Sequence, residues 1–461
     1  MKDLKNFFQP GSIAVIGASR NPNKVGHVLF KNIIEGGFKH EVFPINPNTD
    51  LILNKKVYPS ILKVEKKVDL AIIAVPAESV LKTVQECNKK NIKNLLIITS
   101  GFKEIGRVDL EEKLQIFLKK NKINCIGVNC LGIYDSYNKL DALFIPRYRL
   151  KRPEPGTISF VCQSGAIGAA ILDIATEQGH KFSKFISYGN ATDIDESDLL
   201  EYLSHDEKTK VICLYIEGIK NGKKFFETIK KVSKIKPIIA LKGGLTKQGS
   251  QAALSHTGAL AGDKEVFFGI FAQTKVIKTD SLEEMFNTAS LIEKNLSFKG
   301  NRIQIITNGG GYGILSIDEI AQSKNLALAS LSEKTIKELR KNLPKIIKIH
   351  NPLDLLGDAT TERYKVALEN CIKDKNIDAI LLIVLYQTPL ITTDIVEIIS
   401  ESHMETKKPI IIVSTGAEFT QTLSRALEKN GLPTFTYPTN AINAIDKVVW
   451  YQEKMKSKEK L

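Results

Sequence analysis

Long apolar runs and closely spaced cysteines are absent from this sequence of 461 residues. No apolar run reaches the ~18 residues that a membrane-spanning helix needs, and residues 1–8 lack the apolar core of a signal peptide. The six cysteines lie far apart without CxxC spacing, which excludes a zinc site and indicates free thiols in a reducing compartment. We therefore expect a cytoplasmic protein that has no membrane partner and no metal site of its own.

A clustered basic patch is also missing, although the net charge is +14 at pH 7. The lysines are spread along the chain in short pairs, such as those at 223–224, 230–231 and 407–408, which fit solvated helix faces. A nucleic-acid footprint would gather basic residues on one surface with interleaved aromatic residues. We therefore expect no nucleic-acid partner, and the positive charge favours anionic substrates such as nucleotides or phosphate.

Strand-like apolar runs alternate with helical patterns along the whole chain, and this alternation predicts parallel sheets with crossover helices. A polar passage with several prolines at residues 146–156 is typical of a linker. The expected fold class is α/β, with three consecutive doubly wound domains at residues 1–145, 156–293 and 301–452. The runs predicted as strands are residues 13–16, 42–45, 70–75, 95–99, 123–128, 158–162, 182–187, 211–216, 238–241, 303–307, 379–385 and 410–414.

The first domain opens with a strand, a glycine turn and a helix start at residues 12–26. The free N–H groups of such a turn, together with the helix dipole, make an anion site suited to a pyrophosphate. The GxGxxG fingerprint is absent, and the second strand ends at Asn46-Pro47 without the acidic residue that binds a ribose. The turn therefore predicts a nucleotide other than NAD, and a purely structural βα turn is the alternative. The residues expected at this crevice are Gly17, Ala18, Ser19, Lys24, Val25, Gly26, Asn46, Pro47, Val75, Pro76, Ser100 and Gly101.

The second domain has a strand–turn–helix junction at Gln163-Ser164-Gly165, and no charged residue lies between residues 156 and 172. An anion held at this junction would depend on the free N–H groups of the helix and on Ser164. Close packing between helix and sheet would explain the small residues that follow, but it explains the Gln-Ser-Gly turn less well. We therefore interpret the turn as a phosphate-binding site.

A carboxylate and an imidazole follow two further predicted strands of the same domain. Glu217 ends the apolar run 211–216, and His256 lies in a loop rich in Gly, Ser and Thr after the run 238–241. Ligands of doubly wound domains bind at the carboxyl ends of the strands. A carboxylate that accepts the Nδ1 proton of a histidine leaves Nε2 free to attack phosphorus. We predict that His256 is a nucleophile that carries a phosphoryl group and that Glu217 is its partner, with solvated surface positions for both as the alternative.

These motifs together resemble the NDP-forming acyl-CoA synthetases, in particular the α subunits of ADP-forming acetyl-CoA synthetase, which are related to succinyl-CoA synthetase α subunits. Residues 12–26 resemble the CoA-binding domain of this family, and residues 127–132 resemble its Gly-Pro-Asn-Cys loop, with Val128 in place of the proline. Residues 255–262 match the phosphohistidine motif of the family almost letter for letter. Leu245 stands where the family has an arginine.

The resemblance implies a Rossmann-like CoA-binding domain followed by two flavodoxin-like domains of the succinyl-CoA synthetase type. It assigns Asn129 to the CoA site, and it implies that acyl-CoA and phosphate form an acyl phosphate and CoA. His256 would then take the phosphoryl group and pass it to a nucleoside diphosphate, and the reaction would run in both directions. The residues that it places around the phosphate are Gln163, Ser164, Gly165, Thr257 and Gly258.

A nucleotide site for ADP is not recognisable, because the sequence has no Walker A run and no segment that resembles an ATP-grasp domain. The resemblance therefore implies that Mg-ADP or Mg-ATP binds to a separate ATP-grasp β subunit, in an α2β2 heterotetramer. The glycine-rich turns of the third domain, at 308–313, 351–357 and 415–416, fit plain turn chemistry as well as a site. Two rival classes stay open: a non-catalytic CoA-binding sensor or scaffold, and an NAD-dependent oxidoreductase, which Asn46 and the missing fingerprint disfavour.

Overall fold

The computed structural model describes residues 2–249, 251 and 264–456 of the chain. The chain divides into two units, Met1–Met285 and Phe286–Leu461. Two of the three large sheets lie in the first unit and one lies in the second, and a two-stranded antiparallel sheet of residues 51–52 and 55–56 also lies in the first unit. Among the described residues, no helix combines the length and the apolar character that crossing a membrane requires.

The first unit alternates strands with helices, as the hydrophobic pattern predicts. Two short 3₁₀ helices, Ile61–Lys63 and Lys103–Ile105, follow the ends of strands. Its strands are β1 (Ser12–Ile16), β2 (Glu41–Ile45), β3 (Leu51–Ile52), β4 (Lys55–Lys56), β5 (Leu70–Ile73), β6 (Asn94–Ile97), β7 (Asn124–Gly127), β8 (Gly132–Asp135), β9 (Leu140–Leu143), β10 (Pro155–Cys162), β11 (Phe182–Ser187), β12 (Val211–Ile216), β13 (Ile238–Lys242) and β14 (Ile277–Lys278). Its helices are α1 (Lys5–Phe8), α2 (Val25–Glu35), α3 (Ala77–Lys89), α4 (Val108–Lys120), α5 (Gly165–Glu177), α6 (Glu196–His205), α7 (Gly222–Val232), α8 (Lys264–Thr274) and α9 (Leu282–Glu293), which begins in this unit.

The first sheet is parallel throughout and has the order β2-β1-β5-β6-β7. In chain order this is the 2-1-3-4-5 arrangement of doubly wound domains, which opens a crevice between the first and third strands at their carboxyl ends. Every residue of β1, β5 and β6 is buried, as expected for strands that are covered on both faces. The crevice between β1 and β5 therefore lies beside the glycine turn that follows β1.

The second sheet has the order β14-β13-β12-β10-β11-β8-β9. Strands β10 to β14 are parallel and repeat the 2-1-3-4-5 arrangement, whereas β8 and β9 form an antiparallel hairpin on the outer edge of β11. Residues 132–143 precede the polar passage at 146–156 in the sequence, yet they extend the second sheet. The buried ammonium of Lys184 in β11 joins the hairpin to the sheet, since it lies 3.4 Å from Asp135 and 2.7 Å from Asp206.

The second unit contains the third sheet, with the order β16-β15-β18-β19-β20 and β17 paired to β15. It is parallel and again has the 2-1-3-4-5 arrangement. Three successive doubly wound domains are therefore present, which confirms the fold class predicted from the sequence. The strands are β15 (Arg302–Thr307), β16 (Ala327–Leu328), β17 (Leu353–Asp354), β18 (Ala379–Ile383), β19 (Ile410–Val413) and β20 (Thr434–Phe435). The helices are α10 (Gly310–Gln322), α11 (Glu333–Asn342), α12 (Thr361–Cys371), α13 (Ile395–Glu405), α14 (Glu418–Lys429) and α15 (Pro438–Lys456).

Candidate active site

The carboxyl edge of the first sheet carries the glycine turn that the sequence marks as a nucleotide site. Gly17 has a φ of +94°, and a Cβ there would lie 2.3 Å from the carbonyl oxygen of Ala74. A Cβ at Gly26 would lie 1.9 Å from the carbonyl oxygen of Gly17. Both positions need glycine, because the backbone of the turn packs closely against the end of β5 and against the first turn of α2.

The other residues predicted at this crevice lie at the same edge of the sheet. The side-chain amide of Asn46 donates a hydrogen bond of 2.6 Å to the carbonyl oxygen of Ala18, which ties the end of β2 to the turn after β1. The hydroxyl of Thr99 donates 2.8 Å to the carbonyl oxygen of Val75, which ties the ends of β6 and β5. The predicted residues are Ala18 and Ser19 after β1, Lys24 and Val25 at the start of α2, Asn46 and Pro47 after β2, Val75 and Pro76 after β5, Ser100 and Gly101 after β6, and Asn129 after β7.

A carboxylate that was not predicted holds the turn after β6. Oε1 of Glu104 accepts hydrogen bonds from the backbone N–H groups of Gly101 at 2.6 Å and of Phe102 at 3.1 Å. Oε2 of the same side chain accepts 2.7 Å from the amide of Asn190. Burial acts to raise the pKa of Glu104, but the hydrogen bonds from Asn190 and from these two amides outweigh it and leave the pKa below its ordinary value. Glu104 therefore stays ionised and fixes the turn that presents Ser100.

Asn129 follows β7 and has a φ of +53°, a left-handed conformation that asparagine tolerates. The peptide bond between Gly127 and Val128, one bond before the Val128–Asn129 bond, is cis. The Asn129 side-chain amide donates 3.2 Å to Oδ1 of Asn190, a residue of the turn after β11. The loop predicted to help bind the nucleotide is therefore in contact with the second sheet.

The second sheet carries the predicted phosphate turn at the carboxyl end of β10. Helix α5 begins at Gly165, and Ser164 is its N-cap, with Oγ accepting 3.4 Å from the N–H of Ile167. The Oγ atom of Ser164 thus satisfies one N–H group of the first helical turn. The remaining N–H groups of that turn, together with the positive end of the helix dipole, can bind an anion.

Gln163 joins this turn to the neighbouring strand. Its Oε1 accepts hydrogen bonds from the backbone N–H groups of Glu217 at 2.7 Å and of Gly218 at 3.1 Å. The carboxamide oxygen is therefore oriented toward the end of β12, and only the Nε2 group of Gln163 can donate to an anion. The side chain consequently links the phosphate turn to the backbone at Glu217.

Glu217 lies at the carboxyl end of β12, and its side chain is buried. The hydroxyl of Tyr215 donates 3.2 Å to Oε1 of Glu217. Burial raises the pKa of Tyr215, and the charge of Glu217 raises it further, so the hydroxyl keeps its proton and donates. Gly243 leaves room for this contact, since a Cβ there would lie 2.7 Å from the Tyr215 hydroxyl oxygen.

Lys242 ends β13 and fixes Glu217 from the other side. Its buried ammonium donates 2.8 Å to the carbonyl oxygen of Glu217, donates to the carbonyl oxygen of Gly243, and lies 4.8 Å from the centre of the Phe267 ring. Burial lowers the pKa of Lys242 to about 8, against the opposing effect of Glu217. No sequence pattern predicts this role, because the partners lie 25 residues apart on neighbouring strands.

The predicted nucleophile His256, with Thr257 and Gly258, lies outside the described residues. Of the described elements that flank that segment in the sequence, the strand before it and the helix after it meet at Lys242. On one side β13 ends at Lys242, and on the other α8 begins at Lys264 and places the Phe267 ring against the Lys242 ammonium. The strand before His256 in the sequence and the helix after it are therefore joined at Lys242, beside the backbone of Glu217.

The glycine turn after β15 in the third sheet is held by its own side chains. Oδ1 of Asn308 accepts 2.9 Å from the N–H of Leu385, and Nδ2 donates 3.2 Å to the carbonyl oxygen of Leu385 and 3.0 Å to Oγ1 of Thr388. These bonds tie the ends of β15 and β18, as turn chemistry requires. Across the ranges that the structure describes, no group of three or more His, Cys, Asp or Glu side chains is arranged to hold a metal ion.

Three family models match the chain in the order of its sheets. A CoA binding domain matches residues 11–136, a succinyl-CoA ligase like flavodoxin domain matches residues 155–292, and a ligase-CoA domain matches residues 303–454. The first two ranges contain the glycine turn at Gly17 and the site around Glu217, respectively.

The chain is similar to three known proteins along nearly its whole length. The α subunit of ADP-forming acetate–CoA ligase II from Pyrococcus furiosus is 39% identical over 96% of each chain. The ADP-forming acetate–CoA ligase of Methanocaldococcus jannaschii is 41% identical over 99% of this chain and 64% of its own length. The solved structure of dinucleotide forming acetyl-coenzyme A synthetase 1 from Candidatus Korarchaeum cryptofilum, in complex with phosphate and ADP, has a TM-score of 0.90 at 33% identity and covers 99% of this chain and 98% of that one. The chain therefore belongs to the family of ADP-forming acetyl-CoA synthetases, among their α subunits.

Proposed function

We propose that this chain is the α subunit of an enzyme that converts acyl-CoA, ADP and phosphate reversibly into the free acid, ATP and CoA, through an acyl phosphate and a phosphohistidine at His256. The observation that carries the mechanism is the arrangement of Glu217. Its carboxylate is buried and accepts a hydrogen bond from Tyr215, while Gln163 and Lys242 hold the backbone N–H and carbonyl groups of Glu217. A carboxylate fixed in this way suits a histidine that must keep one ring nitrogen free.

The reaction begins with acyl transfer from CoA to phosphate. An oxygen of phosphate attacks the thioester carbonyl carbon, the C–S bond breaks, and the CoA thiolate leaves and takes up a proton. Residues of the glycine turn after β1 and of the turns after β2, β5, β6 and β7 bind CoA in this proposal. The positive end of α5 at Ser164 and Gly165, with Nε2 of Gln163, holds the phosphate close to the thioester.

The phosphoryl group then moves to the protein. Nε2 of His256 attacks phosphorus, the P–O bond to the acyl group breaks, and the acid leaves as a carboxylate. The Nδ1–H group of His256 keeps its proton and donates a hydrogen bond to Glu217, which fixes the tautomer and stabilises the cationic phosphoimidazole. Thr257 and Gly258 follow the histidine and are proposed to contact the transferred group through their N–H groups. Such transfer needs positioning and charge stabilisation more than covalent help from the protein.

The last step needs a partner for the nucleotide. Relatives of this chain are named as α subunits, which implies a second subunit, and this chain covers 64% of the longer Methanocaldococcus relative. We propose that an ATP-grasp β subunit holds Mg-ADP or Mg-ATP, that the complex is an α2β2 heterotetramer, and that a terminal oxygen of ADP attacks the phosphohistidine while the N–P bond breaks. All six cysteines are buried free thiols, which supports a cytoplasmic location.

ATP formation by the chain co-expressed with its β subunit tests the function. We expect ATP only when acyl-CoA, phosphate and ADP are all present, and a panel of acetyl-, branched-chain and aryl-CoA substrates identifies the acyl group. The control is Glu217→Gln, which keeps the shape of the side chain but replaces one carboxylate oxygen with an amide. A complex that binds CoA and forms no ATP from any member of the panel would favour a CoA-binding sensor instead.

A further inference from the structure

Asn190 belongs to the turn after β11 in the second sheet, but its bonds run to the loops of the first sheet. Its side chain is buried, with 3% of the residue surface exposed. Its Nδ2 donates 2.7 Å to Oε2 of Glu104 and 2.9 Å to Oε2 of Glu111, and its Oδ1 accepts 3.2 Å from Asn129. Its backbone N–H donates 3.0 Å to the carbonyl oxygen of Val128. One side chain therefore joins the loops after β6 and β7.

The carboxamide fits this place because both of its ends are used. The amide nitrogen donates one hydrogen bond to each of two carboxylates, and the oxygen accepts a hydrogen bond from Asn129. The backbone is also fitted closely, since Gly189 has a φ of +57° and a Cβ there would lie 2.2 Å from the carbonyl oxygen of Asn129. The turn after β11 therefore packs closely against the loop after β7.

Charged groups of both signs surround Asn190. Lys103 lies 3.8 Å from the carboxylate of Glu111 and donates 3.4 Å to the carbonyl oxygen of Asn190. Lys220 donates 2.8 Å to the carbonyl oxygen of Ala191, and burial and the charge of Lys103 lower the pKa of Lys220 to about 8 against the opposing effects of Glu111 and Glu196. Two carboxylates and two ammonium groups therefore surround a neutral amide, and the hydroxyl of Thr192 donates 3.1 Å to Oε1 of Glu111.

We propose that Asn190 is a positioning residue of the CoA site. Its amide orients Glu104, which fixes the N–H groups of Gly101 and Phe102, and its oxygen orients the side chain of Asn129. The inference rests on the proposed CoA site, to which both loops belong. It adds that the site is complete only when the turn after β11 in the second sheet contacts the loops after β6 and β7.

Asn190→Asp tests this with almost no change in shape. The substitution places an oxygen opposite Oε2 of Glu104 and Oε2 of Glu111, at the 2.7 and 2.9 Å now spanned by hydrogen bonds. Two carboxylates at this distance repel each other unless they share a proton, and taking up that proton becomes less favourable as the pH rises. Calorimetry gives the Kd for CoA of the variant and of the wild type at each pH. We expect the ratio of the variant's Kd to the wild-type Kd to increase by up to about tenfold per pH unit between pH 6 and 8.5.

Two further variants keep the test decisive. Glu104→Gln, added to Asn190→Asp, keeps an oxygen for Gly101 and Phe102 and turns an amide toward the new carboxylate, so it should recover at least about tenfold of the lost affinity. The control Asn430→Asp adds the same charge to an exposed residue of the second unit and should leave the Kd for CoA unchanged.

Failure of the inference and failure of the proposed function give different results. If the wild-type chain binds CoA and the Asn190→Asp variant binds it equally well at every pH, the positioning role of Asn190 is wrong and the proposed CoA site is unaffected. Loss of affinity without a pH dependence and without recovery in the double variant would also overturn it, because it would indicate general damage. Wild-type chain that does not bind CoA would instead overturn the proposed CoA site.

Discussion

The hydrogen bond between Tyr215 and Glu217 predicts a specific interaction between two substitutions. A Cβ at Gly243 would lie 2.7 Å from the Tyr215 hydroxyl oxygen, 3.3 Å from its Cζ and 3.6 Å from Cγ of Glu217. In Gly243→Ala the hydroxyl must therefore move, and its 3.2 Å bond to Glu217 cannot survive a shift of that kind. In Tyr215→Phe the same bond is absent, but the atom that would meet the new methyl group is also absent.

The expected size of the effect follows from the bond that is lost. A hydrogen bond to a charged group contributes about 1.5–3 kcal/mol, which is roughly a 10- to 150-fold change if the whole of it is used in phosphoryl transfer. Gly243→Ala and Tyr215→Phe should each slow formation of the phosphoenzyme by a factor in this range. In the Tyr215→Phe background, Gly243→Ala should slow it by no more than about twofold, because the nearest remaining ring atom, Cζ at 3.3 Å, has to move only slightly to make room and no hydrogen bond to Glu217 is left to lose.

Rapid-quench measurement of phosphoenzyme formation from acetyl-CoA and radioactive phosphate provides the rates. Gly222→Ala is the matched control, because a Cβ there meets no atom within 4 Å, and it should leave the rate unchanged. Equal slowing by Gly243→Ala in both backgrounds would show that the methyl group acts elsewhere. An unchanged rate in Tyr215→Phe would show that the hydroxyl does not orient Glu217.

The remaining predictions concern Lys242 and Gly26. Because burial lowers the pKa of Lys242 from 10.5 to about 8, the folded chain binds fewer protons than the unfolded chain between those values, and its stability should rise as the pH rises through that window. Urea unfolding should show this rise in the wild type and a smaller one in Lys242→Met, and equal slopes in both would contradict the assignment. Gly26→Ala places a Cβ 1.9 Å from the carbonyl oxygen of Gly17, so the Kd for CoA should increase by more than about tenfold, with far-UV circular dichroism unchanged. Retained affinity in a folded variant would argue against this turn as part of the CoA site.

The elements that define the fold could be predicted from the sequence. The strands predicted at residues 182–187 and 211–216 have the bounds of β11 and β12, and the alternation of strands and helices predicts three parallel sheets. The positions of the glycine turn at Gly17 and of Glu217 follow from the same reasoning, since parallel strands present their carboxyl ends at one edge. The hairpin β8–β9 was not predicted, because its strands are short and contain the buried charges of Asp135 and Asp141.

The contacts that hold the site could not be predicted. Asn190 and Glu104 are 86 residues apart, and Lys242 and Glu217 are 25 residues apart, so no local pattern relates them. The role of Gln163 shows the same limit. The sequence predicts a polar residue in an anion-binding turn, whereas only the packing of β10 beside β12 shows that its oxygen holds the backbone of Glu217.

The most direct measurement is the location of phosphate on the chain. The chain is mixed with acetyl-CoA and radioactive phosphate, quenched at alkaline pH, where a phosphohistidine survives, and digested for mass spectrometry. The mechanism predicts one labelled peptide that contains His256, with the phosphate on the imidazole, and loss of the label in His256→Ala. Phosphate on another residue, or undiminished label in His256→Ala, would contradict the proposed nucleophile.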